Sequence, residues 1–184
     1  MSSQNNVEVK KDKILADEIE ELTGTNVLKC YQCGKCSAGC PVRMFMKVPP
    51  NKVVRFVQLG LDDDALKSET IWMCAGCQTC STRCPQNFDL AKFMDALKEI
   101  AIKRGLISRK DILKFHKAFL KQIEANGRAF EFGLIRDYKL STFNLFQDMD
   151  IAPEMFFKGK IRLIPHRTKN RDVIKKIFDR ANKE

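Results

Sequence analysis

Long apolar runs are missing. No stretch of the 184 residues approaches the roughly 18 uncharged apolar positions that a membrane-spanning helix needs, so no such span is expected. Met1 to Lys13 is polar and has no apolar core of a secretion signal, and the chain is read as cytoplasmic. Nowhere do apolar and polar residues alternate over a strand's length, which excludes an extended sheet. There is no G-x-G-x-x-G and no P-loop, so no dinucleotide or nucleotide site of its own is expected. Histidine is scarce, with His116 and His166 alone, and a metal site built on imidazole is not favoured. A disordered polymer is excluded too, since 44% of residues are hydrophobic and 30% charged, enough to bury a core.

What is abundant is cysteine. Eight thiols in a reducing compartment are more often metal ligands or redox groups than disulfides. They fall into one internal repeat. Cys30, Cys33, Cys36 and Cys40 are followed by Pro41; Cys74, Cys77, Cys80 and Cys84 are followed by Pro85. Both copies read C-x2-C-x2-C-x3-C-P, the run of bacterial two-cluster ferredoxins, in which three thiolates hold one cube and the fourth reaches the other. Transferred here, that logic puts one [4Fe-4S] cluster on Cys30, Cys33, Cys36 and Cys84, and the other on Cys74, Cys77, Cys80 and Cys40. Three thiolates set three apart on a tight loop can converge on three corners of a cube. Gly34, Gly39 and Gly76 are expected to relieve crowding at the turns. The proline turns the chain away. Two four-cysteine zinc sites are the alternative, although zinc explains neither the third close cysteine nor the repeated proline. Either assignment uses every thiol, leaving no cysteine nucleophile and no catalytic residue on this chain.

Around the repeat the periodicity is helical. Helices are expected over Lys11 to Leu22 with a stop at Gly24, from Pro49 and Pro50 to Gly60, and from Asp62 through Trp72. A further one runs from an Asp89 cap through Phe93, Leu97 and Ile100 to Gly105, and another from a Ser108/Asp111 capping box to Gly127. Arg128 to Pro165 is rich in phenylalanine without a sustained period and stays unassigned; Asn170 to Arg180 returns to a helical pattern. The chain reads as all-α: a segment over 1–27, a two-cluster core over 28–107, and a C-terminal extension over 108–184. The net charge of +10 is concentrated at the end. Met155 to Glu184 holds ten Lys or Arg against three Asp or Glu, and a basic helix there suits docking on an acidic subunit or, less well, binding RNA.

The two motifs, the segment Pro49-Pro50-Asn51-Lys52-Val53-Val54-Arg55-Phe56-Val57-Gln58-Leu59-Gly60 and the run Ile71-Trp72-Met73-Cys74 together resemble the C-subunit family of CoB-CoM heterodisulfide reductase. The resemblance covers about Leu28 to Gly105 and implies an α-helical ferredoxin. It implies an electron-transfer subunit of an oxidoreductase complex of methanogenesis. Electrons would pass from a flavin-bearing A subunit, through two [4Fe-4S] clusters, to a B subunit that reduces the CoM-S-S-CoB heterodisulfide, with a hydrogenase or formate dehydrogenase in the larger assembly. The iron-sulfur subunits of glycerol-3-phosphate and succinate dehydrogenases share similar cysteine runs, but many carry extensions that the lack of an adjacent Cys-Cys pair does not support here. Among other residues, Trp72 is expected in the core. Tyr31, Lys35, Arg43 and Arg83 stand beside the motifs, where a cation or hydroxyl could raise a potential. Phe130, Phe132, Phe143, Phe146, Phe156 and Phe157 are candidates for core filling or partner contact.

Overall fold

The computed structural model describes residues 15–142, 154–155, 158–159, 165 and 168–181, and it divides into two compact units, Met1–Ser108 and Arg109–Glu184. Among the described residues all regular structure is helical. No described helix is long and apolar enough to cross a membrane.

In the first unit α1 (Leu15–Thr23) buries Leu15 and Ile19 and ends at Gly24, whose φ of 68° is open to glycine at no steric cost. Asn26 caps a short 3₁₀ turn by accepting the Leu28 N–H. Two four-residue helices lie inside the cysteine runs, α2 (Lys35–Ala38) and, further on, α6 (Thr79–Thr82). Between them come α3 (Pro50–Gln58), α4 (Asp62–Leu66) and α5 (Glu69–Met73). Pro50 starts α3 because its missing N–H would have no partner there anyway. Ser68 caps α5 by accepting the Thr70 N–H.

The central element is α7 (Leu90–Lys103). Asp89 accepts the N–H of Lys92 at its head, as the sequence predicts. It buries Leu90, Phe93, Met94, Leu97 and Ile100, because α1, α4, α5 and α6 all pack on it. Each such side chain contributes about 1.5–3 kcal/mol by leaving water. Trp72 is buried in the same core. The α2 and α6 helices also pack on each other, which brings the two cysteine runs together.

The second unit holds α8 (Lys110–Asn126), α9 (Glu131–Thr142) and α10 (Arg171–Ala181). Two expectations change here. Ser108 makes no cap: the residue before α8 is Arg109, whose guanidinium binds Asp111 and so occupies the carboxylate a capping box would use. The unassigned stretch contains α9, whose only fully buried residue is Gly133, so no apolar stripe announces it. Phe143, Phe146, Phe156, Phe157 and His166 lie outside the described residues.

Candidate metal centres

Each cysteine run is a tight loop that enters a four-residue helix. Its geometry needs two left-handed residues, Gln32 (φ 63°) and Gly34 (φ 78°) in the first copy, and Gly76 (φ 63°) and Gln78 (φ 63°) in the second. A glutamine in that region costs of order 1 kcal/mol. Gly39 relieves crowding as the sequence suggests, since a Cβ there would collide with the Arg83 guanidinium. Gly34 and Gly76 do not: a Cβ at either would stand in open space, and their role is the left-handed turn itself.

All eight cysteines are free thiols. They line two cavities, one slightly smaller than the other, both walled by cysteines and mostly apolar side chains, so both suit the same kind of occupant. The smaller is walled by Cys30, Cys33 and Cys36 of the first run with Cys84 of the second, and closed by Asn51, Val54 and Phe88. The larger is walled by Cys74, Cys77 and Cys80 with Cys40, and closed by Met46, Leu90 and Met94. Cys36 and Cys80 also line the neighbouring cavity, as does Leu90, so these residues stand between the two. The second cysteine of each run, Cys33 or Cys77, is the exposed one. Among the described residues no three Cys, His, Asp or Glu side chains crowd together tightly enough for a single ion.

Burial penalises bare thiolates here. It pushes the Cys30 thiol above its ordinary range, with the Gln32 N–H pulling it back and the charges of Cys84 and Cys33 adding to the rise. Burial likewise raises Cys36, Cys74 and Cys80. Cys77 moves the other way, because the Thr79 hydroxyl and N–H bind its thiolate. Largely apolar walls holding clustered thiols favour a cationic occupant that neutralises them, and soft thiolate donors fit iron-sulfur clusters. Donors also reach the sulfurs: the Phe88 N–H lies 3.4 Å from Cys84 Sγ and the Gln32 amide 3.6 Å from Cys30 Sγ.

The model of the 4Fe-4S dicluster domain matches residues 26–88. That segment is a 4Fe-4S dicluster domain. The match begins four residues before Cys30 and ends four after Cys84, so the domain takes in both runs and both cavities. Around it the chain is similar to the C subunits of heterodisulfide reductases. An iron-sulfur C subunit of CoB-CoM heterodisulfide reductase from Methanopyrus kandleri is 36% identical over 90 residues, 49% of this chain and 47% of that protein. One from Methanocaldococcus jannaschii is 40% identical over 80 residues, 44% and 42% of the two chains. The C subunit of the H2:CoB-CoM heterodisulfide,ferredoxin reductase of Methanothermobacter marburgensis is 28% identical over 97 residues, 53% and 52%. The chain thus spans about half the length of these curated relatives.

Other residues flagged by the sequence sort clearly around the dicluster domain. Lys35 lines the smaller cavity. Tyr31 is exposed beside it. Arg43 donates to the Met46 carbonyl, and Arg83 lies on Gly39. His116 is exposed next to Phe115. The sequence reading missed Gln32, Asn51 and Gln58, an amide chain beside Cys30. Aligning the repeat sets Gln32 against Gly76, a signal for Gln32 but not for its two partners.

Proposed function

We propose that this chain is the electron-relay subunit of a heterodisulfide reductase, holding two [4Fe-4S] clusters in its dicluster domain. Cys30, Cys33, Cys36 and Cys84 hold one; Cys40, Cys74, Cys77 and Cys80 hold the other. The observation that carries this reading is the exchange of fourth cysteines, by which each run completes the cavity wall of its neighbour. When bound, such clusters accept and release single electrons. The chain's own residues supply the setting: apolar walls exclude water, and α2 against α6 keeps Cys36 and Cys80 between the sites. Exposed Cys33 and Cys77 give each site an edge at the surface for partners.

In this reading the chain has no substrate pocket of its own and works in a cytoplasmic complex. A flavin-bearing A subunit delivers electrons, a B subunit reduces the CoM-S-S-CoB heterodisulfide, and a hydrogenase or formate dehydrogenase feeds the assembly. The names of the relatives support the complex, and the division of labour is what the resemblance to the C-subunit family implies. Anaerobic purification is the test. The expected result is about eight iron and eight sulfide per chain, a broad absorbance that bleaches on reduction, and co-purification of the two partner subunits. Stoichiometric zinc, or a different flavoprotein partner, rejects it.

A further inference from the structure

The two cysteine runs, and the helices behind them, share a frame of hydrogen bonds. Ser37 and Ser81 each follow a third cysteine. Their hydroxyls donate at 2.6 Å to Asn51 Oδ1 and Asp89 Oδ1, and they accept the N–H groups of Asn51 at 3.1 Å and Ala91 at 3.3 Å. Seven residues past Asn51 and Ala91, Gln58 and Lys98 reach back to the carbonyl of the first cysteine, Cys30 at 2.7 Å and Cys74 at 3.3 Å. In this frame Gln32 stands where the second copy has Gly76, at the same φ of 63°. Glycine adopts that conformation freely, whereas a glutamine strains to do so, as Gln78 does opposite Gly34; what sets Gln32 apart is the set of partners its side chain has.

The direction of the Gln32 amide is fixed from the backbone outward. Gln58 faces the carbonyls of Val27 and Cys30, which only accept, so it presents Nε2 to both. Its Oε1 is left for Gln32, which must therefore offer Nε2, and the Arg55 guanidinium donates to that same oxygen. Gln32 Oε1 in turn accepts from Asn51 Nδ2 at 3.2 Å, and Asn51 Oδ1 takes the Ser37 hydroxyl. Turning any one amide over sets oxygen against oxygen. The chain leaves Gln32 Nε2 aimed at Cys30 Sγ, 3.6 Å away.

We propose that Gln32 raises the reduction potential of the cluster bound by Cys30, a contribution that Gly76 does not make at the other cluster. The inference rests on the ligand sets proposed above. One-electron reduction makes a cluster one unit more negative and puts part of that charge on its thiolates. An N–H donor on Cys30 Sγ therefore favours the reduced form. Nearby charges differ between the sites as well: Lys35 lines the first cavity, while Asp89 and the Lys98–Asp95 pair flank the second run. A substitution at position 32 leaves all of these in place.

The experiment is a mediated redox titration of anaerobic holoprotein, followed by electron paramagnetic resonance, with iron and sulfide counted in each sample. Gln32→Gly keeps the left-handed turn and removes the amide; Gln32→Glu keeps the length and replaces the donor by an acceptor. Both are expected to lower the potential of one and the same cluster, Glu by more, and to leave the second cluster where it was. Unchanged potentials in a variant with full iron overturn the inference and leave the proposed function standing. Loss of iron from both variants overturns it too, since Gln32 would then be structural. A wild-type chain without iron overturns both readings.

Discussion

The two units are held together by different forces. The first buries Phe93, Leu97, Ile100, Ile71 and Leu15 in a core of apolar side chains, where burial is non-directional and tolerant of small shifts. The second buries Gln122, Asn126, Gly133 and Ala118. There Gln122 donates to Asp137, Asn126 donates to Gln122, and the Asn126 carbonyl accepts the Thr168 N–H. Hydrogen bonds of this kind add only about 1 kcal/mol each but cost more when one partner is left alone, so the second unit depends on geometry where the first depends on volume.

The largest break in this comparison is expected from Cys84→Ser. It should remove one cluster, leaving about four iron per chain, with the Cys74, Cys77 and Cys80 signal retained in electron paramagnetic resonance; preferential loss of the other signal would refute the ligand assignment. Next comes Phe93→Ala, which empties the fully buried centre of α7 and should cost about 3–5 kcal/mol, read as a lower unfolding midpoint and poor iron retention.

A smaller and confined effect is expected from Gly127→Ala. Gly127 has a φ of 76°, and a Cβ would meet Thr168 Oγ1 at 1.9 Å. The strain of about 1–2 kcal/mol should speed proteolysis of the α8–α10 region while the cluster absorbance stays at its wild-type level. Equal loss of absorbance would show that the units are not separable.

The smallest is a pH effect at Asp137. Burial pushes its carboxyl up, but Lys121 and Arg136 more than offset this and hold it below the ordinary range. A depressed carboxylate stabilises the fold above about pH 4, and that contribution is lost as pH falls through the lower folded value. Protection of the α8 and α9 amides, after division by their intrinsic exchange rates, should therefore fall as pH drops below about 4, and Asp137→Asn should flatten the change.

Much of the first unit was legible because its signals are local. Pro50 and Gly60 bracket α3, Asp89 and Gly105 bracket α7, and the cysteine spacing marks both loops. The second unit was harder for a physical reason. The α9 helix packs through a glycine, and Phe132, Ile135 and Leu140 remain exposed, so apolar periodicity carries no information there. Ser108 looked like a cap only because the pairing of Arg109 with Asp111 cannot be seen in the spacing. The amide chain at Cys30 escaped for another reason: Asn51 and Gln58 lie 19 and 26 residues from Gln32, and only the fold brings them together.

Gly39 and Arg83 hold the same place in the repeat, one step before the final cysteine, and there the guanidinium of one lies in the space left by the other. The halves are therefore complementary and no longer interchangeable. Two copies of the first would leave a gap on the seam, and two copies of the second would drive a pair of cations into it. A doubled motif that looks redundant on paper has become a matched left and right hand.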